Sequence, residues 1–225
     1  MKPLKLELNI ALLPNRSLAE RLTDLSQTLA ENHPTVVRLG RAGARLTLAP
    51  HLTLLQTALP LSAIPNLDDR ISQIASKTSV FNGMEATKYV YNHDEASFEV
   101  CRRVTDHLVA AQTAIIQSVS PLRSNLLVER DPAGNKLEDL LYVEGILGDN
   151  IHKYGYAEVG DPRQGGLFRP HDTTNWFELG TQIDINTELL PKLEALRGDY
   201  NALGLFILGP HGTCPQLLAD YPLIP

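Results

Sequence analysis

Leu18, Leu22, Leu25 and Leu29 are spaced i, i+4, i+7 and i+11, which on a helix of 3.6 residues per turn is one face. This stripe lies between residues 4–13, with alternating polarity, and about 46–58 (LTLAPHLTLLQTA), each of which reads as a strand. The interleaving continues. A helix is expected from Asn66, carrying Leu67, Ile71 and Ile74, and another over about 100–119, with Val104, Leu108, Ala111, Ile115 and Val119 in line. Between them, 80–91 and 95–100 flank a turn at Asn92-His93-Asp94. Later come a strand at 176–185, a helix at 187–197 ending at Gly198, and a strand at 203–208. Ser17-Leu-Ala-Glu20 has the spacing of a capping box for the first helix. Helices distributed among strands, with one hairpin, predict a mixed α/β or α+β sheet. Residues 120–167 are the least regular stretch and predict an insertion containing a helix around 135–152, so the organisation expected over 1–225 is one domain with an insert.

Composition narrows the function classes. An apolar fraction of 43% and 20% charged residues in 225 supply a core and an ordinary soluble surface, which excludes a disordered chain or a collagen-like repeat. No window approaches 18 uninterrupted apolar residues, so no membrane span is expected. Lys5 and Glu7 interrupt the N-terminus, which reads as a strand and not a signal peptide. Two cysteines, Cys101 and Cys214, fit a reducing cytoplasm better than a disulfide scaffold. A net charge of −6 disfavours DNA binding driven by phosphate neutralisation; a small anion in a locally positive pocket remains compatible with it.

The chemistry-bearing signal is a repeated pattern. Pro50-His51-Leu52-Thr53-Leu54 is matched 120 positions later by Pro170-His171-Asp172-Thr173-Thr174. In an extended strand, residues i and i+2 share a face, so His51 with Thr53, and His171 with Thr173, point together. Arg169 joins the second set if the strand begins there. Two strands side by side would converge two imidazoles and two hydroxyls on one cleft. A neutral histidine can take a proton from water or a ribose hydroxyl, a protonated one can give a proton to a leaving oxygen, and each transfer is worth roughly 10²–10⁴-fold. Threonine hydroxyls can donate to the phosphoryl oxygens where charge builds. Neither a metal nor a cofactor is called for.

The two Pro-His-x-Thr elements, the β-α-β lead-in to the first and the Phe168-Arg169-Pro170-His171 approach to the second resemble the 2H phosphoesterase superfamily, which includes the LigT-like RNA 2′,3′-cyclic phosphodiesterases, also called 2′-5′ RNA ligases. The resemblance covers most of the chain, with 120–167 unaccounted for. It implies an α+β, bilobal fold: two pseudo-symmetric mixed or antiparallel sheets, helices outside, and a central cleft with the histidines facing across it. It also implies metal-independent hydrolysis of a 2′,3′-cyclic or related phosphodiester of a nucleotide or RNA end. His51 and His171 would be the acid/base pair, either in either role, and Thr53 and Thr173 the phosphate-oxygen donors; Arg169, read from its own side chain, is a candidate phosphate-binding residue as a bidentate clamp, with an ordinary solvated arginine as the alternative. The family pattern is His-hydrophobic-Thr/Ser-hydrophobic. His51-Leu-Thr-Leu54 fits throughout, whereas Asp172 and Thr174 put polar residues at both positions expected to face the core.

That departure supports a second reading, a non-catalytic nucleotide- or RNA-binding module. A third, a hydrolase using Cys214 beside His211, rests on a Gly-rich segment (Gly209 to Cys214) that reads first as a turn. Asp172 also reads as a turn former. Trp176, Phe177, Tyr91 and Phe168 are candidates for stacking a base, although aromatics at strand ends more often fill cores. Arg123, Arg130, Lys136, Lys153 and Tyr154 are candidates for a lid, with a solvated insertion as the simpler description.

Overall fold

In the computed structural model, residues 4–33, 35–40, 47–178, 180 and 183–225 are described. Ten strands form one hydrogen-bonded network among them: β1 (Lys5–Pro14), β2 (Val37–Leu39), β3 (Thr47–Leu48), β4 (Leu52–Pro60), β5 (Phe81–Met84), β6 (Ala86–Asn92), β7 (Ser97–Arg102), β8 (His171–Trp176), β9 (Gly198–Ile207) and β10 (Gln216–Pro222). The helices are α1 (Arg16–Asn32), α2 (Ile64–Ala75), α3 (Asp106–Val119), α4 (Leu137–Leu140) and α5 (Ile146–Tyr154). The main path runs β10-β9-β1-β4-β8-β2-β3, with β5 beside β9, and β7 linking β8 to β6. Strands pair antiparallel except β2 with β3. The fold is α+β. Its two halves, β10-β9-β1-β4 with β5, and β6-β7-β8-β2-β3, are joined where β4 meets β8 through the register pair Leu52↔Asp172.

Helix α1 lays the leucine stripe on the core: Leu18, Leu22, Leu25 and Leu29 are all buried. Its cap is Asn15, whose side-chain oxygen accepts the Leu18 N–H at 2.9 Å, two residues ahead of the expected Ser17. Asparagine and serine cap about equally well, and with Asn15 as cap the Ser17 hydroxyl accepts from Arg21 instead. Helix α2 starts at Ile64 and carries Pro65 in its first turn, where the missing N–H costs nothing, so Asn66 lies inside the helix. Helix α3 starts after Thr105, whose hydroxyl accepts the Leu108 N–H, because 100–102 belong to β7.

Three further expectations are corrected. The helix expected at 187–197 is a pair of single 3₁₀ turns, Thr187–Leu189 and Leu193–Leu196; Pro191 between them removes a donor that a continuous helix needs. Gly198 opens β9 instead of ending a helix. Of the strand expected at 176–185, residues 179, 181 and 182 lie outside the described residues; among the others only Trp176 is in a strand, the last residue of His171–Trp176. Within 120–167, α4 and α5 enclose a separate small core of Val128, Leu137 and Ile151 with Ala58 of β4. Arg123 is 5% exposed and donates to the carbonyls of Leu126 and His152, which makes it a brace beneath this segment and not a lid residue. Among the described residues, no helix is long and apolar enough to cross a membrane.

Candidate active site

The β4–β8 joint fixes the site. His51 immediately precedes β4 and His171 opens β8, so each stands where its strand enters the junction. In each, Nδ1 lies against the carbonyl two residues back, across the intervening proline: His51 Nδ1 to Ala49 O at 2.8 Å, and His171 Nδ1 to Arg169 O at 2.6 Å. A carbonyl only accepts, so Nδ1 carries the hydrogen and Nε2 is left as the reactive nitrogen. His51, Thr53, His171 and Thr173 line one cavity.

The local pleat repeats as well. Ile10 pairs with Leu55 and Ala11 with Thr53, so Leu54 is an extra residue in β4; Phe98 pairs with Asn175 and Glu99 with Thr173, so Thr174 is an extra residue in β8. A bulge shifts the alternation by one. The residue three beyond each threonine, Gln56 and Trp176, therefore also lines the cavity, where strict alternation would turn it away. These two wall residues are not legible from a two-residue period.

The surroundings of the two histidines differ. His51 is 5% exposed, packs on the Phe206 ring at 5.8 Å, and has Nε2 at 3.3 Å from Cys214 Sγ. Burial pushes its pKa below the ordinary histidine value, reinforced by His171 and partly opposed by the Ala49 carbonyl and Asp172. Cys214 is 2% exposed and burial raises its thiol well above the usual range, so it is a neighbour of His51 with little thiolate to act as a nucleophile. His171 instead has Glu99 Oε1 at 4.0 Å from Nε2. Glu99 is fully buried and accepts from Ser97 Oγ at 3.1 Å, from Asn92 Nδ2 at 3.3 Å and from Arg169. Nearby, Glu95 lines the cavity, and burial together with Glu99 raises its carboxyl to about 7.

Arg169 therefore does not meet the expectation of a phosphate clamp. Its guanidinium is held by Glu99, by Glu158 at 3.3 Å and by Glu95 at 3.5 Å, and it is not among the cavity-lining residues. Asp172 is not a turn former: it is fully buried, accepts from Arg102 Nε at 2.6 Å in a pair wholly shielded from solvent, and accepts from the Tyr200 hydroxyl at 2.7 Å. Thr174 donates to the Phe98 carbonyl. The two polar residues of the second tetrapeptide thus face a core that supplies their partners. Of the aromatic candidates, Trp176 lines the cavity while Phe168 and Phe177 are core; Tyr156, between α5 and β8 and not singled out from sequence, lines it too.

Neither a protein-family model nor a curated protein matches the sequence. Solved structures do match in fold. Apo E. coli LigT aligns over 99% of this chain and 99% of its own with a TM-score of 0.57 and 12% identity. LigT complexed with 3′-AMP aligns over 99% and 100%, with a TM-score of 0.55 and 14% identity. TT0787 of Thermus thermophilus aligns over 96% and 97%, with a TM-score of 0.59 and 16% identity. The fold is the one seen in E. coli LigT and TT0787.

Proposed function

We propose that this chain is a 2H-type phosphodiesterase of the cytoplasm that hydrolyses a 2′,3′-cyclic or related phosphodiester of a nucleotide or RNA end, without a metal. The observation that carries the reading is the pair of imidazoles on one cavity, each fixed through Nδ1 on a backbone carbonyl so that Nε2 is the nitrogen left for proton transfer. The fold shared with LigT, one of whose structures is a complex with 3′-AMP, is consistent with a nucleotide ligand.

The surroundings divide the roles. His51, held neutral by burial, takes a proton from the attacking water as its oxygen bonds to phosphorus. His171, facing the Glu99 carboxylate, gives its Nε2 proton to the ribose oxygen as the P–O bond breaks. The Thr53 hydroxyl accepts from Asn9 Nδ2 at 3.0 Å and keeps its own hydrogen for a phosphoryl oxygen. Thr173 supplies a second such donor, and both act on charge that develops in the transition state.

The test is incubation with a panel of 2′,3′-cyclic nucleotides in EDTA, with wild type beside His51→Ala and His171→Ala. Wild type is expected to form a nucleoside monophosphate, and each variant to lose at least about 10²-fold in turnover while remaining folded. Full activity in both variants overturns the two-histidine mechanism. Tight nucleotide binding with no product from wild type would instead establish a binding module.

A further inference from the structure

One wall of the cavity is not used by this chemistry. It comprises Gln56 from β4, Asp131 and Pro132 from the insertion, and His211 with Gly212 from the turn between β9 and β10. His211 has a left-handed backbone, φ 58° and ψ 26°, which is uncommon for a residue with a Cβ and costs free energy. The turn holds it there: Gly209 N–H donates to Thr213 O at 2.8 Å, and Thr213 donates to Pro210 O through its backbone at 3.1 Å and its hydroxyl at 2.7 Å. The ring is oriented in the manner of the other two histidines, with Nδ1 at 3.4 Å from Pro132 O, which leaves Nε2 as its remaining polar atom.

Gln56 lies beside it. A Cβ on Gly212 would stand 2.8 Å from Gln56 Nε2, which puts the turn directly against the Gln56 amide. The Gln56 side chain is 5% exposed, lines the cavity and has no hydrogen-bond partner among the described residues. Its amide is open to the cavity. Asp131 takes the backbone and side-chain N–H groups of Asn135 at 2.7 Å and 3.0 Å, which keeps a carboxylate at the same rim.

We propose that Gln56 and His211 form a subsite for the nucleoside part of the substrate, with His211 Nε2 and the Gln56 amide bonding ribose hydroxyls or the base edge. This rests on the phosphodiesterase reading and adds to it a recognition site distinct from the reacting phosphorus. The chemistry argues for the nucleoside and against a second phosphate. An amide offers both donors and an acceptor, an imidazole with Nδ1–H committed offers an acceptor at Nε2, and a carboxylate at the rim repels an anion while attracting hydroxyl and N–H donors. A strained residue held by three hydrogen bonds, with no part in the core, is the kind of position that function retains.

Calorimetry with 3′-AMP and with inorganic phosphate tests this on wild type, His211→Ala and His211→Gly, alongside turnover of a cyclic diester. Both variants should lose roughly tenfold in affinity for 3′-AMP, the worth of one or two hydrogen bonds, and keep their affinity for phosphate. KM should rise by a similar factor with kcat little changed, the pattern of lost uniform binding. His211→Gly should also unfold at a higher temperature than wild type, because glycine relieves the left-handed strain, so weaker binding there cannot be misfolding. Unchanged 3′-AMP affinity, or equal loss of phosphate and 3′-AMP, overturns the subsite. If wild type hydrolyses the diester while the variants match it, the subsite fails and the phosphodiesterase reading stands; if wild type neither binds nor hydrolyses, both fall.

Discussion

The segments His51–Leu54 and His171–Thr174 do the same thing on one face and opposite things on the other. Toward the cavity each presents a histidine anchored on the carbonyl two residues back, a threonine, and, beyond a bulge at its fourth residue, one more lining side chain. Toward the core, Leu52 and Leu54 are fully buried in the apolar cluster, whereas Asp172 and Thr174 are equally buried and bonded to Arg102, Tyr200 and Phe98. Backbone geometry and the cavity face are what a shared site demands. The reverse face has to be filled and its charges paired, which apolar packing does in one segment and the Asp172–Arg102 pair with Tyr200 does in the other.

The strongest way to break that equivalence is to remove the partner on which the polar side depends. Asp172→Ala leaves the Arg102 charge buried without its carboxylate and should destabilise the fold by about 3–5 kcal/mol in denaturant unfolding. Leu52→Ala, at the corresponding position of the apolar segment, should cost about 2–5 kcal/mol from the cavity it leaves. The double change Arg102→Met with Asp172→Leu distinguishes the two kinds of core. It removes both charges together and should recover most of the loss, since a buried pair replaced by apolar groups is often neutral. A double variant as unstable as Asp172→Ala would show that the network itself, and not merely the absence of an orphan charge, holds the joint together.

The threonines sharpen the comparison at the cavity face. Losing a hydroxyl that donates to developing charge should cost about 10²–10³ in kcat, in Thr53→Val and Thr173→Val alike. Their stabilities should diverge. Asn9 is fully buried and its Nδ2 donates to Thr53, so the valine there orphans a donor and should cost about 1–3 kcal/mol. The Thr173 hydroxyl has no hydrogen-bond partner among the described residues, so its replacement should leave the unfolding midpoint almost unchanged. Equal destabilisation of the two would contradict the asymmetry of their supports.

How much of this was legible in the sequence follows the same division. The leucine stripe of α1 and the cavity-facing pairs His51/Thr53 and His171/Thr173 follow from periods of 3.6 and 2, and both arrangements are present in the structure. Gln56 and Trp176 required knowledge of the bulges, which depend on register against β1 and β7 and not on local pattern. Arg169 read as a phosphate ligand because its partners Glu95 and Glu99 come from the distant β6–β7 hairpin and Glu158 from a loop with no periodic pattern to place it. Asp172 read as a turn former for the same reason: Arg102 and Tyr200 come from β7 and β9. His211 looked like part of a turn and is one; only the tertiary approach of Pro132 and Gln56 places it on the cavity.

The smallest expected effects lie in pH dependence, where the two sides of the cavity should pull in opposite directions. Folded His51 binds a proton less readily than the unfolded chain because it is buried against Phe206 and Cys214. Its neutral form therefore contributes stability that is present above about pH 6.5 and lost as pH falls below it, at no more than about 1.4 kcal/mol per pH unit. Glu95, beside His171, is the reverse case. Its carboxyl, raised to about 7, holds a proton that the unfolded chain releases near pH 4.3, so its contribution is present at acid pH and lost as pH rises to about 7. Unfolding of His51→Gln followed from pH 8 to pH 5 should show a shallower acid-side decline than wild type, and Glu95→Gln a smaller decline between pH 5 and pH 7. The same depressed pKa should carry the acid limb of kcat/KM below pH 6.5, because His51 works as a base only when neutral. Stability profiles of His51→Gln and wild type that run parallel across this range would mean that the apolar setting of His51 does not bias its proton, and the division of roles between the two histidines would then lose its electrostatic basis.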